Sequence, residues 1–102
     1  MINQVVLIGR IIKNIDDNDY ITIAVSRSYK SENGEYENDL IDVFIKGHIA
    51  EATREYCHEG DLIGVRGFVQ TSVKDEIRYT NIIANKISFL SKAKENSWLI
   101  KY

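Results

Sequence analysis

The sequence predicts an all-β domain, a five-stranded Greek-key barrel with one helix between the third and fourth strands. Apolar and polar residues alternate along five separate segments, as in strands that bury one face. The alternation changes to helical spacing once, over residues 49–56, and returns from residue 62. Five strands and one helix in this order, on 102 residues, favour a closed barrel. A small sandwich or a half-open barrel is the alternative.

Length, composition and charge indicate one small globular domain. The chain is 44% hydrophobic and 27% charged, which is ordinary for a globular protein with a single core. Its net charge of −2 argues mildly against a nucleic-acid partner, but the field in a groove depends on where the 13 Lys and Arg residues lie. The single cysteine, Cys57, excludes an internal disulfide framework, and no metal-finger spacing accompanies it. Without a membrane-spanning segment or a signal peptide, we expect a cytoplasmic protein.

The first two strands are predicted over residues 1–13 and 20–29. β-Branched residues dominate the first, and Gly9 in its middle indicates a bulge or a bend. Because the first strand is apolar on both faces, it lies inside a closed barrel or another subunit covers its second face. In the second strand, Arg27 and Tyr29 extend the inward-facing row past the edge of the core, so we expect both to be exposed.

A hairpin joins the second strand to a third over residues 40–46. Its turn is predicted at Asn33-Gly34, because both residues tolerate the positive φ of a type I′ turn. The polar residues 30–38 around this turn are expected to project from the barrel. The third strand directs alternate residues to the core, namely Ile41, Val43 and Ile45.

The helix over residues 49–56 is short and amphipathic. Gly60 is expected to end it in the left-handed conformation. The fourth strand follows over residues 62–71, and Gly64 and Gly67 permit it to bend. The predicted apolar face of the helix consists of Ile49, Ala52, Thr53 and Tyr56.

The last strand is predicted over residues 77–89, after a polar turn at 72–76. Its hydrophobic phase shifts near Ile82-Ile83, which indicates a bulge. The pattern is lost from residue 91, so the predicted domain covers residues 1–90 and residues 91–102 form a short tail. This order of elements is typical of the oligonucleotide/oligosaccharide-binding barrel, the OB-fold.

A series of short segments carries information beyond the hydrophobic period. They are Met1-Ile-Asn-Gln-Val-Val-Leu-Ile-Gly-Arg10, Ile23-Ala-Val-Ser-Arg-Ser-Tyr29, Asn33-Gly34-Glu35, Gly47 with Ala50-Glu51, Tyr56 followed by Gly60, Asp61-Leu-Ile-Gly-Val-Arg-Gly67 with Thr71, and Arg78-Tyr79-Thr80. In this order, over residues 1–90, they resemble the single-stranded DNA-binding proteins of bacteria and phages. The resemblance implies an OB-fold homotetramer that coats single-stranded DNA in replication, recombination or repair, without cofactor or catalysis.

The resemblance also implies where bases would stack. Tyr29 matches an aromatic stacking position of the family, whereas Leu40 and Lys46 stand where relatives often carry aromatic rings. Phe44 and Phe68 are expected on outward strand faces, so we hypothesise that they form a rearranged stacking surface with Tyr29. The alternative is that Phe44 or Phe68 packs at a subunit interface.

Phosphate contacts are predicted from cations on strand ends and hairpins. Acidic residues concentrate instead on the first turn and the helix, which reconciles the negative net charge with an anionic ligand. Asp42 does not fit, because it shares the presumed DNA face. The predicted phosphate ligands are Arg10, Arg27, Lys30, Lys46, Arg66, Lys74 and Arg78.

The tail departs from the family pattern. Family members typically carry a flexible Gly/Pro/Gln-rich extension and an acidic tip that recruits other enzymes, whereas this sequence reads Ser-Trp-Leu-Ile-Lys-Tyr at residues 97–102. Recruitment through such a tip is not expected, and we expect the apolar cluster to pack on the barrel or on a neighbouring subunit.

Other function classes remain to be weighed. An enzyme is not expected, since no nucleophile has a His-acid pair nearby in sequence and no phosphate-cradling Gly-rich loop is present. A barrel that binds proteins or oligosaccharides, having lost DNA binding, is the main alternative, and a specialised paralogue from a phage or mobile element is a third. A dimer would satisfy the apolar first strand as well as a tetramer does.

Overall fold

Five strands and one helix make up the part of the chain that the computed structural model describes, residues 1–93. In chain order they are β1 (Val5–Lys13), β2 (Tyr20–Lys30), β3 (Tyr36–Phe44), α1 (Gly47–Tyr56), β4 (Leu62–Lys74) and β5 (Ile77–Ser91). The strands close into a barrel in the order β1-β2-β3-β5-β4; β3 and β5 are parallel, and the other neighbours are antiparallel. The predicted Greek-key barrel with its helix between the third and fourth strands is confirmed.

The core consists of β-branched side chains that alternate along the strands. The alternation of the fourth strand predicts Ile63, Val65 and Val69 on its inner face. Ile63 and Val65 are buried, but Val69 is exposed because β4 continues past the barrel as a long arm with β5. The largest fully buried side chains are Ile11, Ile21, Ile23, Val43, Ile45, Ile63 and Val65. Within residues 1–93, no helix is long and apolar enough to cross a membrane.

β1 is shorter and less covered than predicted. It begins at Val5, and the outward side chains of Val6 and Ile8 are exposed. The predicted bend at Gly9 is wrong, because Gly9 continues the regular ladder with β4. Its role is a close approach: a Cβ there would lie 2.5 Å from the carbonyl oxygen of Ala24. The irregularity of β1 falls later, between Ile11 and Lys13.

The β2–β3 hairpin does not contain the predicted type I′ turn. Gly34 has a φ of 79°, but Asn33 is not in the left-handed region. The N–H of Gly34 donates to the Ser31 carbonyl at 2.9 Å, and the N–H of Ser31 donates to the Glu35 carbonyl at 2.7 Å. This is a three-residue loop, in which only the last residue needs positive φ.

Positive φ at two successive residues occurs instead at the β4–β5 turn. Asp75 and Glu76 have φ values of 53° and 65°, and the strands pair up to Lys74 and Ile77 on either side. The predicted polar turn over residues 72–76 is thus reduced to two residues, because β4 and β5 remain paired to the tip of the arm.

The helix buries part of the predicted face, since Thr53 is buried and Ile49 packs against the core. Ala50 and Thr53 are buried against the barrel, whereas Ala52 and Tyr56 are exposed. Gly60 does not end the helix. The helix ends at Tyr56, and the chain continues in an extended conformation at Cys57. Gly60 has a φ of 91° in the next turn, where its N–H donates to the Ile11 carbonyl at 2.7 Å and joins that turn to β1.

The bulge predicted in β5 lies slightly later than expected. Arg66 pairs with Lys86 and Gly67 with Ala84, so Asn85 is the extra residue. β5 then runs to Ser91, past the predicted end. Residues 94–102, including the apolar cluster expected to pack on the barrel, lie outside the described residues.

Candidate nucleic-acid interface

Four side chains align across the outside of the barrel, and we call them the cross-strand row. Tyr20 of β2 pairs with Phe44 of β3, Phe44 pairs with Ile83 of β5, and Ile83 pairs with Phe68 of β4. All four are half-buried. The rings of Tyr20 and Phe44 have centroids 5.3 Å apart at an interplanar angle of 53°. The row therefore presents partly exposed ring surface that spans four strands.

This placement corrects the sequence-based view of the two phenylalanines. Phe44 and Phe68 were expected to be exposed on adjacent strands, but β5 lies between β3 and β4, and Ile83 separates the two rings. The burial of each ring comes from these neighbours. Tyr20 belongs to the row although the sequence analysis did not single it out, and only the pairing of Tyr20 with Phe44 reveals it.

Asn3 is a second residue that the sequence analysis missed. Its side-chain amide donates to the Val69 carbonyl at 2.7 Å and accepts from the Val69 N–H at 2.9 Å. These two bonds place the first residues of the chain beside Phe68, where they line one side of a shallow pocket.

A second aromatic group lies far from the row, on the hairpin that we call the finger, residues 27–39. Tyr29 is 64% exposed and Tyr36 is 61% exposed. Lys30 lies over the ring of Tyr36, with Nζ 5.6 Å from the centroid. Tyr29 is nine residues from Tyr20 along β2, which corresponds to about 30 Å of strand. The predicted three-ring platform is therefore two separate aromatic surfaces.

Leu40 and Asp42 occupy β3 between these surfaces. Leu40 is exposed and pairs with Ala24, so it presents an apolar side chain on the outer face of β3. The hydroxyl of Thr22 donates to the Asp42 carboxylate at 2.6 Å. Asp42, whose charge did not fit the presumed DNA face, therefore accepts one hydrogen bond from a neighbouring strand.

Two of the seven predicted phosphate ligands already have protein partners. Arg10 donates from Nη1 to the Gly60 carbonyl at 2.9 Å and is half-buried. Arg27 donates to the carboxylates of Asp39 and Glu37. The hydrogen bond with Asp39 raises the pKa of Arg27 and lowers the pKa of Asp39. Both arginines therefore have hydrogen-bond acceptors within the protein.

The other five predicted phosphate ligands are exposed at four places. Lys46 precedes α1 as its N-cap residue, two positions after Phe44. Arg66 lies two positions before Phe68 and pairs with Lys86, a cation that the sequence analysis did not select. The finger carries Lys30, and the β4–β5 arm carries Lys74 and Arg78. Exposed cations therefore flank both aromatic surfaces.

The acidic first turn contacts α1 through Arg54. Arg54 of α1 donates to the Asp16 carbonyl at 2.9 Å and to the Asp19 carboxylate. The N–H of Tyr20 donates to the Asp16 carboxylate and lowers its pKa. In residues 1–93, no three His, Cys, Asp or Glu side chains are grouped so that they could hold a metal ion.

Comparison with known proteins agrees with this geometry. A family model described as "Single-strand binding protein family" matches residues 2–90. Single-stranded DNA-binding protein B of Bacillus subtilis is 35% identical over 103 residues, which cover 88% of this chain and 91% of the relative. Single-stranded DNA-binding protein 2 of Clostridium acetobutylicum is 34% identical and covers 93% of this chain and 81% of the relative.

Solved structures show the same fold at lower identity. The wild-type single-stranded DNA-binding protein of Thermus aquaticus superposes with a TM-score of 0.73 and 20% identity, over 88% of this chain and 50% of that chain. The Plasmodium falciparum protein in complex with single-stranded DNA superposes with a TM-score of 0.67 and 21% identity, over 89% of this chain and 96% of that chain.

Proposed function

The chain belongs to the single-strand binding protein family, and from that membership we propose that it binds and protects single-stranded DNA without marked sequence preference, in replication, recombination or repair. The observation that carries the proposal is the family match over residues 2–90, which contain both aromatic surfaces. A barrel devoted to protein contacts is not favoured, because the relatives with matching sequence are themselves named for single-stranded DNA binding.

We infer that base stacking supplies the affinity that does not depend on salt. The rings of Phe44, Phe68 and Tyr29 are available for bases, and Tyr20 adds a fourth ring beside Phe44. Each stacked base contributes about 1 to 3 kcal/mol, and stacking tolerates any base because every base has a π-face. This explains how the surface would bind without reading sequence.

Phosphate contacts would supply the part of the affinity that depends on salt. Lys46 and Arg66 are exposed two residues from Phe44 and Phe68, and Lys74 and Arg78 are exposed near the tip of the β4–β5 arm. Each contact releases counterions from the nucleic acid. Stacking and counterion release need neither a cofactor nor a catalytic group, so we propose a binding role without catalysis. We also propose that the protein acts in the cytoplasm.

We also propose that the protein is a homo-oligomer, a tetramer as in its family or a dimer. β1 pairs with β2 only from Arg10 to Lys13, so its first half offers an open edge on that side within the described residues. The outward side chains of Val6 and Ile8 are 62% and 57% exposed on this half. A second copy that pairs with this edge would cover both the backbone groups and the apolar side chains.

The test is a fluorescence titration with oligo-dT of about 35 nucleotides, a length that spans several sites on such barrels. Binding should weaken as salt is raised, with a log-log slope of about −0.7 for each neutralised phosphate. A lack of binding at low salt would contradict the proposal and would favour a barrel specialised for protein contacts.

A further inference from the structure

The finger carries more negative than positive charge. Residues 27–39 contain two cations, Arg27 and Lys30, and four carboxylates, Glu32, Glu35, Glu37 and Asp39. An excess of carboxylates repels phosphate, so it is unexpected on a segment that meets single-stranded DNA. The arrangement of the charges around Arg27 suggests a reason.

Each of the three guanidinium nitrogens of Arg27 contacts a carboxylate. Nε lies 3.2 Å from both carboxylate oxygens of Asp39, and Nη2 lies 2.8 Å from Oδ1 of the same residue. Nη1 donates to Oε2 of Glu37 at 2.7 Å. Bidentate contact of this kind is also how arginine binds a phosphate group. The two carboxylates thus take the positions that phosphate oxygens would take.

These ion pairs cross the irregular part of the β2–β3 ladder. The regular register ends at Ser26 with Asn38 and resumes at Lys30 with Tyr36. Between these pairs, β2 contributes three residues and β3 contributes one, so the backbone ladder cannot hold the two strands together there. Tyr29 lies within this segment, two residues from Arg27.

We propose that Asp39 and Glu37 act as resident substitutes for phosphate at Arg27: they hold its guanidinium across the β2 bulge and keep it out of contact with DNA. The finger then binds single strands through the rings of Tyr29 and Tyr36. Arg27 is a positioning residue and not the phosphate ligand that the sequence analysis predicted. The inference rests on the proposed function, since it concerns the same DNA-binding surface.

Neutralising the two carboxylates should free Arg27. In E37Q/D39N we expect one additional phosphate contact, so the log-log salt slope for oligo-dT becomes steeper by about 0.7, independently of any affinity lost through a change of finger geometry. The matched control is E32Q/E35Q, which changes the charge of the same finger equally but leaves Arg27 paired. Its slope should equal that of the wild type.

Removing the guanidinium tests whether Arg27 contacts phosphate in the wild type. R27Q should keep the wild-type slope even if its affinity falls through loss of finger geometry, and R27Q/E37Q/D39N should not show the gain of E37Q/D39N. Thermal unfolding checks that each variant is folded. If the multiple variants do not fold, the single variant D39N replaces them in the test, and its salt slope should shift in the same direction as that of E37Q/D39N.

Two results would overturn the inference. One is a slope that becomes shallower by about 0.7 in R27Q, since that is the loss of one real phosphate contact. The other is an E37Q/D39N slope equal to that of E32Q/E35Q. Binding by the wild type in the same titrations separates this failure from failure of the proposed function, and a wild type that does not bind would overturn both.

Discussion

At Phe44 and Phe68, the exposed part of each ring limits what a base can gain by stacking. Both rings are half-buried because they pack against neighbours in the cross-strand row, whereas Tyr29 on the finger is largely exposed. Packing on one side also fixes the orientation of the rings, so a base loses less entropy when it stacks there. The row and the finger should therefore contribute to affinity in different ways.

We predict that F44A and F68A each weaken the binding of oligo-dT by about 5- to 150-fold, the equivalent of losing about 1 to 3 kcal/mol of stacking. The measurement is a titration at high salt, where the phosphate contribution is small. Y56A is the matched control, because Tyr56 is an exposed ring on α1. Unchanged affinity in both folded phenylalanine variants would show that the row faces a subunit and not DNA.

Asp16 illustrates how a single carboxylate stabilises a turn. Its Oδ1 accepts from the N–H groups of Asn18 and Tyr20 at 2.9 and 3.0 Å, and the bond from Tyr20 is the main reason why its pKa is lowered. Charge-assisted bonds of this kind favour the ionised form. The start of β2, and with it Tyr20 of the row, depends on this carboxylate.

The pH dependence of stability should reflect Asp16. A lowered pKa contributes stability that is present above the usual value of 3.8 and is lost as the pH falls through the folded-state pKa. We predict that the stability of D16A falls less steeply than that of the wild type as the pH is lowered from 5 to 2 (about the range over which such a carboxylate titrates). Urea denaturation at several pH values measures this, and D17N serves as the control. Parallel curves for D16A and the wild type would contradict the prediction.

At the scale of elements, the closure of the barrel depends on close contact between backbones. Gly67 of β4 lies opposite Ala84, next to the bulge at Asn85, and a Cβ at residue 67 would overlap the carbonyl of Ile83. Gly64, three residues earlier on the same strand, has its nearest neighbour, the Ser88 Cβ, at 3.7 Å from such a Cβ. The two glycines therefore have different roles, although both were predicted only to permit bending.

We predict that G67A destabilises the protein by about 3 kcal/mol, because the Ile83 backbone must shift and disturb the row. G64A on the same strand should change stability by less than about 1 kcal/mol, since its methyl group has room. Chemical denaturation at one protein concentration compares the two variants. Equal effects of G67A and G64A would mean that β5 adapts to the added methyl group at no cost.

For the whole molecule, the outer face of β1 is the surface through which barrels could associate. Val6 and Ile8 are exposed next to an open strand edge. Together with Leu90 of β5, which is also exposed, they line a shallow pocket on the outer face of the barrel. Water contact with these side chains is unfavourable by about 25 cal/mol for each Å² of apolar surface. Association of several copies would remove this surface from water and would combine their DNA-binding surfaces.

We predict that V6K/I8K converts the oligomer to a smaller species, because two ammonium groups in an apolar interface would be buried without partners. Light scattering after gel filtration measures the mass. Y56K is the matched control, since it adds a charge at an exposed aromatic position on α1. A wild type that is already monomeric, or an unchanged mass in V6K/I8K, would contradict the proposed assembly.

The sequence was sufficient to predict the order of the strands, the position of the helix and most of the inner rows of the barrel, because each follows from a local pattern of apolar and polar residues. Ile21, Val43 and Ile63 could be assigned to the core in this way. The family also followed from the sequence, through short segments along residues 1–90. Each of these features depends on residues that are close together in the chain.

The tertiary structure alone decided which outward residues meet. Register between distant strands brings Tyr20, Phe44 and Phe68 into one row, and no local period encodes that alignment. The same holds for Arg27, because the sequence does not reveal that its carboxylate partners lie beside it on β3. Pairing across strands depends on loop lengths and bulges, so a binding surface made from several strands becomes visible only when the barrel closes.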